Sequence, residues 1–341
     1  MIKSKYKSYY LNGISNGCKY CVRGEKLVLF ISGKCERNCY YCSLSKKRKN
    51  KNISWANERK ISSIKDIIKE VKDSNSTSAG ITGGDPFLFL NKTINYAKAL
   101  KNKFRKKFHI HIYLPTKNLT ENKLKKLSKY IEEVRFHPDF LCNKKSDIDT
   151  EINKIKIAKK FWKKKDIGIE LPMIPEKKKE ILEFILKIKN DIGFVNLNEL
   201  ELSETNFEIM TKNYRFNKTG YVIINSKNAG LWVLKNLEKF KIKLKVHLCT
   251  AELKNQYQYK NRLKLHKMLP FGRRTKDGTV IYLKTNKKPK AKSGFYFDKQ
   301  KNQYILSNNL ANKLIEKQKI FRIEEFPTFD RTEIEKEEIK I

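Results

Sequence analysis

The chain of 341 residues has no apolar run near the length a membrane helix needs, about 18 to 20 residues, so no membrane span is expected. Its opening stretch, Met1 to Gly13, is basic and aromatic without an apolar centre, which argues against a secretory leader. Cysteine is sparse: seven residues, three of them crowded into one loop, favour a reducing, cytoplasmic setting over a disulfide framework. No internal repeat of convincing period is visible. Acidic residues are also few, 36 Asp and Glu against 76 Lys and Arg, for a net charge of +40. Such a field attracts polyanions, RNA among them. The excess is spread along the chain rather than held in one basic arm, as it also is in proteins of a lysine-rich proteome.

What is present is a loop, Gly33-Lys34-Cys35-Glu36-Arg37-Asn38-Cys39-Tyr40-Tyr41-Cys42, following an apolar run, Lys26 to Ser32, that reads as a strand. Three thiolates at this spacing can hold three irons of a [4Fe–4S] cluster. A cluster of that kind wants four thiolates, so one iron stays open to a small molecule. The competing reading, a structural zinc loop, calls for four ligands and paired CxxC units.

Strand-like and helix-like segments alternate after residue 25, the pattern of βα units around a parallel sheet. Strands are expected at 26–32, 78–83, 109–115, 133–138, 167–174 and 194–202, with helices near 63–74, 91–104, 120–130, 150–164 and 177–190. His109, His111 and Tyr113 share one strand face, opposite Ile110, Ile112 and Leu114. Arg135, His137 and Asp139 likewise oppose Val134 and Phe136. If outer helices cover the apolar face, the lumen is polar and suits a ligand, unlike the packed apolar lumen of ordinary barrels. The sixth strand parses poorly, because Asn196 and Asn198 are out of phase with Glu199 and Glu201; a bulge or shifted register is expected there. Beyond residue 212 the alternation loosens. Tyr221–Asn225 and Lys243–His247 read as strands, and Ser226–Phe240 and Ala251–Met268 as helices.

The motif Cys35-x3-Cys39-x-Tyr41-Cys42 resembles the cluster-binding signature of the radical S-adenosylmethionine (radical SAM) superfamily. It is similar to the branch of glycyl-radical (pyruvate formate-lyase) activating enzymes, and in particular to archaeal proteins related to them. Gly17-Cys18-Lys19-Tyr20-Cys21, Ala56-Asn57-Glu58-Arg59, Gly80-Ile81-Thr82-Gly83-Gly84-Asp85-Pro86 and Phe326-Pro327-Thr328-Phe329-Asp330-Arg331 extend the likeness along the chain. The resemblance implies an α/β fold, a partial (βα)6 TIM-like barrel with a small α/β C-terminal extension. The expected division is an N-terminal segment 1–25, a core 26–212, an extension 213–270 packed on the core, and an appendage 271–341.

It further implies that Cys35, Cys39 and Cys42 bind the [4Fe–4S] cluster and that S-adenosylmethionine is cleaved to a 5′-deoxyadenosyl radical. Tyr41 would lie near the adenine, and the backbone of Gly83 and Gly84 would bind the methionine amino group. Asp85 replaces the family's glutamate, so its side-chain role carries over less well than the backbone role. His137, Glu170 and Glu199 are further cofactor-binding candidates on strand ends, although the surroundings of Glu170 do not match the family's adenine motif. A low-potential electron donor of ferredoxin or flavodoxin type is the expected partner. The substrate is left open between RNA (tRNA above all), which the positive charge favours, a protein glycine, as for an activating enzyme, and a small molecule.

Cys18-x2-Cys21 is half of a metal site, which Cys249 with His247, or His266 one helix later, can complete for zinc or a second iron–sulfur cluster. Cys142 shows no partner in the sequence and reads as structural. Ala56-Asn57-Glu58-Arg59 either lines the mouth or caps the next element. The other class of function, a non-catalytic iron–sulfur or zinc protein that binds nucleic acid or transfers electrons, would hold the metal without cleaving S-adenosylmethionine.

Overall fold

The computed structural model describes residues 1–142 and 146–339. Seven parallel strands stand side by side in chain order: β1 (Lys26–Phe30), β2 (Ser78–Thr82), β3 (His109–Pro115), β4 (Glu133–His137), β5 (Ile167–Met173), β6 (Phe194–Glu199) and β7 (Lys245–Cys249). Antiparallel ribbons occupy the two edges. Trp55–Ala56 pairs with β1, and Tyr9–Leu11 with β7, so the sheet is an open, partial barrel and neither long edge is left bare.

Seven helices are named in chain order: α1 (Asn16–Val22), α2 (Ile64–Asp73), α3 (Leu90–Phe104), α4 (Glu121–Ser128), α5 (Ile148–Lys156), α6 (Lys178–Ile188) and α7 (Ser226–Lys239). Between strands, α2 to α7 form the outer layer. Ser63 and Asp66 form a capping box that starts α2. In α6, Ile181, Phe184, Ile185 and Ile188 recur at helical spacing and are fully buried, with Phe184 stacked on Phe140 at 4.8 Å. Ile110, Ile112 and Leu114 of β3 are buried on the helix-facing side.

Three expectations for the region from residue 194 onward need correction. The sixth strand has no bulge: Phe194–Glu199 keeps one register with both neighbours. Asn196 and Asn198 face the lumen, and the strand ends at Glu199, where the phase changes. Tyr221–Asn225 is not a strand but contributes isolated bridges, Glu201 to Val222 and Phe216 to Ile223. That irregular stretch hid the continuation of the sheet, for Lys245–Cys249 pairs in parallel with β6. The helix expected at Ala251–Met268 is a π-helical run, Leu253–Tyr259, continued as an α-helix, Lys260–Leu265.

Inside the barrel the strand faces are polar, and α1 closes the floor. A Cβ on Gly17 would lie 2.6 to 2.7 Å from Arg135 Nη2, Glu133 Oε1 and His111 Nδ1, so only glycine allows this approach. Its backbone N–H donates to Glu133 at 3.0 Å.

Ala56-Asn57-Glu58-Arg59 braces the edge. Asn57 accepts from the Val28 N–H and donates to buried Glu70, while Arg59 pairs with Glu70 and Asp73. The Arg59 guanidinium also sits 4.0 Å from the Phe329 ring centroid, so the brace reaches the C-terminal sheet. That sheet is antiparallel, built from Val280–Thr285, Phe295–Asp298, Gln303–Leu306, Phe321–Glu325 and Glu333–Glu338. Lys284 and Arg331 share the buried Glu325 carboxylate, each at 2.6 Å.

Candidate active site

At the carboxyl ends of the strands lies a pocket of about 630 Å³, within the range of small-molecule sites. Cys35, Cys39 and Cys42 all line it, together with Tyr41, Gly83, Gly84, His137, Glu170 and Glu199. The loop carrying the cysteines is irregular, so its shape comes from what holds it. On one side Arg37 donates to the carbonyls of His137 (2.7 Å) and Pro138 (3.0 Å) and pairs with Asp139 at 2.7 Å. On the other, Ser203 and Thr205 donate to the Cys42 carbonyl. The buried Arg37 thus ties the loop to the end of β4.

The Gly83-Gly84 turn runs directly beneath the loop. A Cβ on Gly84 would fall 2.3 Å from the Lys34 carbonyl oxygen, so the close approach of the two backbones requires glycine. Asp85 is placed differently from the expectation. Its carboxylate accepts from the Phe87 N–H (2.8 Å) and Asn118 Nδ2 (3.2 Å), capping the short helix Pro86–Phe89, and it does not line the pocket.

Tyr41 and His137 meet across the mouth, the hydroxyl 3.0 Å from Nε2. Burial, with Arg37 nearby, pushes His137 down to about 3, so the ring that shares this hydrogen bond with the tyrosine is neutral. Glu170 accepts from Asn196 and Asn198, each at 2.6 Å, and pairs with Arg135 at 3.1 Å. Arg135 also reaches Glu133 and the Tyr113 hydroxyl. Glu199 accepts from the Ala251 N–H at 2.8 Å, and burial raises its carboxyl above the usual range. The lumen is therefore a connected polar network rather than a set of separate charges.

Cys142, read as structural, lies beside the cysteine loop instead. Its Sγ is 3.2 Å from Cys39 Sγ and 3.0 Å from an Asp139 carboxylate oxygen. The hydrogen bond with Cys39, strengthened by Arg37, lowers Cys142 to about 7, while the same bond and burial raise Cys39. Among the described residues, Cys39, Asp139 and Cys142 are the one group of three metal-type donors within 4.8 Å of one another.

Cys18, Cys21, Cys249 and His247 form no such group. Cys18 faces Arg135 and Asn196, His247 Nδ1 is 2.7 Å from the same Asn196 oxygen, and Cys249 faces Gln258. A tetrahedral zinc site needs its donors roughly 3.8 Å apart, given Zn–S bonds of about 2.3 Å. His266 lies elsewhere, 3.6 Å from Glu70.

Arg37 and Lys254 were not singled out from sequence, and Cys142 was read there only as structural. For Arg37 the one available signal is its place inside the cysteine motif. Lys254, on the π-helical run, lines the pocket and pairs with Glu201 at 2.5 Å.

The fold and mouth together define an α/β partial barrel with its ligand pocket at the carboxyl ends of the strands. The radical SAM superfamily model matches residues 29–188. A Methanocaldococcus jannaschii protein named as a glycyl-radical enzyme activating enzyme is 40% identical over 265 residues, 76% of this chain and 69% of the relative. Among solved structures, Escherichia coli coproporphyrinogen III oxidase, titled a radical SAM enzyme, aligns with TM-score 0.39 and 10% identity, over 68% of this chain and 57% of that one. The radical SAM methyltransferase TsrM of Kitasatospora setae aligns with TM-score 0.38 and 11% identity, over 59% and 43%. The chain belongs to the radical SAM superfamily. It is an enzyme whose cofactors are a [4Fe–4S] cluster and S-adenosylmethionine. No helix among the described residues is long and apolar enough to cross a membrane.

Proposed function

We propose that Cys35, Cys39 and Cys42 hold the [4Fe–4S] cluster and that S-adenosylmethionine occupies the 630 Å³ pocket beside it. The carrying observation is the convergence of these three thiols, the Gly83-Gly84 turn and the Tyr41–His137 pair on one pocket wall. The donor set fits the cluster, with three thiols on one loop and the pocket open beside them. When bound, the cluster supplies the electron that cleaves S-adenosylmethionine to a 5′-deoxyadenosyl radical.

The chain's own residues position and enclose. Arg37 fixes the loop, Gly84 lets its turn pack against Lys34 under that loop, where the backbone would meet the methionine end, and the Tyr41 ring would wall the adenine side. His137 stays neutral and orients Tyr41. Glu170 and Glu199 face the ribose side, and Asn196 and Asn198 keep Glu170 in place. Asp85 acts as a helix cap and supports the glycine turn. The reductant is a low-potential donor of ferredoxin or flavodoxin type.

Two observations bear on the substrate. The relative's name supports hydrogen abstraction from a glycine of a protein, and the net charge of +40 supports an anionic one such as RNA. Any substrate, a small molecule included, would have to bring a C–H bond into this pocket, whose lining includes Tyr113, Glu170 and Lys254.

Anaerobic reconstitution of the wild type and of Cys→Ala variants at 35, 39 and 42 tests the ligand assignment. Iron and sulfide content and the electron paramagnetic resonance (EPR) spectrum of the reduced protein are the readouts. Loss of the cluster signal in each variant supports the assignment, and a wild-type spectrum in any one refutes it for that residue.

A further inference from the structure

A second pocket, of about 310 Å³, opens between β1 and the helical run that follows β7. Its lining carries four cations, Lys26, Arg48, Lys254 and Arg262, against one carboxylate, Glu58. Two of the cations are neutralised. Arg262 forks onto Glu58 at 2.8 and 2.6 Å, and Lys254 pairs with Glu201 in the first pocket.

Lys26 and Arg48 have no carboxylate partner among the described residues. Burial works against the Lys26 ammonium, but the neighbouring Cys21 and Tyr113 hold it above its usual range. Arg48 donates to the Asn57 carbonyl at 2.8 Å, and its guanidinium lies 5.3 and 5.4 Å from the ring centroids of Phe30 and Trp55. Burial pushes Arg48 below its usual range, with the nearby Glu58 carboxylate opposing the shift and Arg262 adding to it. Cations outnumber carboxylates in the lining, where Glu58 serves Arg262 and also acts on Arg48, and a bound oxyanion would offset the excess charge. A planar guanidinium forks onto a carboxylate or phosphate, and an ammonium adds a point charge.

The two pockets share a wall. Lys254 lines both, and in the first it stands with Tyr113 and Glu170 at the proposed point of hydrogen abstraction. An anion held by Lys26 and Arg48 would therefore sit next to the first pocket, with Lys254 between the two. The volume is at the small end of small-molecule sites, which favours a free small acid over a nucleic-acid strand or a folded protein segment.

We propose that this second pocket binds the carboxylate or phosphate of a small-molecule substrate, with Lys26 and Arg48 as its specificity-determining residues. The proposal rests on the reading of the first pocket as the site of hydrogen abstraction.

Isothermal titration calorimetry on the reconstituted full chain tests it, with citrate and inorganic pyrophosphate as separate probes. An RNA oligonucleotide and an acidic peptide serve as macromolecular controls. At least one small probe is expected to bind with one-to-one stoichiometry, and the responding probe identifies carboxylate or phosphate as the recognised group. Lys26→Met and Arg48→Gln should each weaken that binding roughly tenfold or more, as expected for loss of a charged hydrogen bond. Lys292→Gln, which removes an exposed charge, should leave it unchanged. Far-ultraviolet circular dichroism identifies any variant that has failed to fold, and the charge-conserving Lys26→Arg and Arg48→Lys then take its place.

Equal weakening by Lys292→Gln, or no saturable binding of either probe, overturns the proposal. So does RNA or peptide binding that depends on Lys26 and Arg48 when neither small probe binds. The binding readout needs no turnover. Probe binding without S-adenosylmethionine cleavage would fault the catalytic reading, and cleavage without probe binding would fault this one.

Discussion

Cys142 Sγ lies 3.2 Å from Cys39 Sγ, although 103 residues separate them in the chain. This contact brings a fourth thiol to the edge of the three-cysteine loop. The account assigns the cluster to Cys35, Cys39 and Cys42 and leaves the fourth iron to S-adenosylmethionine. Cys142→Ala should therefore keep its iron and sulfide content and still respond to S-adenosylmethionine in its EPR spectrum, whereas Cys39→Ala should lose the cluster. Loss of iron from Cys142→Ala would make Cys142 a ligand.

Arg37 is the clamp between the loop and β4. Its guanidinium side chain is 5% exposed and pairs with Asp139 at 2.7 Å while serving two backbone carbonyls. Removing one partner of such a pair costs about 3–5 kcal/mol. Arg37→Ala should lower the denaturation midpoint accordingly and reconstitute with less iron. Arg37→Lys keeps the charge but loses the fork, so it should fall between the two. Urea unfolding of the cluster-free proteins separates the stability effect from metal loss.

Arg135 holds the lumen together through Glu133 at 2.6 Å and Glu170 at 3.1 Å. Its replacement by Met leaves two buried carboxylates short of their counter-charge, a loss again of about 3–5 kcal/mol. Arg135→Met combined with Glu133→Gln should recover part of it. Additive effects in this double-mutant cycle would show that the two side chains do not act together.

His247 is buried beside Asn196, and burial with Arg135 nearby lowers it to about 3. The unfolded chain takes up a proton near pH 6.5, and the folded one does not until about pH 3. The stability from keeping this ring neutral is complete above pH 6.5 and is lost as the pH falls towards 3, amounting to about 2 kcal/mol by pH 5. Between pH 6.5 and 5 most carboxylates in the unfolded chain remain ionised, so the slope there reports histidines. His247→Gln should reduce that slope by one proton's worth, although His111 and His137 are lowered too and keep a remainder. An unchanged slope would place a protonated imidazole in the folded state.

The six expected strands were legible because their side chains alternate. His111 and Tyr113 face the lumen while Ile110 and Ile112 face the helices, and one residue of drift would reverse both. The cysteine loop was legible because all its members lie within eight residues. Contacts made by the tertiary fold were not. Nothing in the spacing of Cys142 or Arg37 announces the other, and Lys254 reaches the pocket from a π-helical run with no pattern of its own. The capping role of the Asp85 carboxylate was not read from the sequence, although its signal is local. The proline after it starts a short helix, which takes the aspartate as its cap.

The central claim is tested most directly by incubating the reconstituted, reduced protein anaerobically with S-adenosylmethionine and quantifying 5′-deoxyadenosine and methionine by chromatography. The account predicts both products in equal amounts from the wild type and neither from Cys35→Ala. An intact cluster with a competent reductant and no 5′-deoxyadenosine would contradict it.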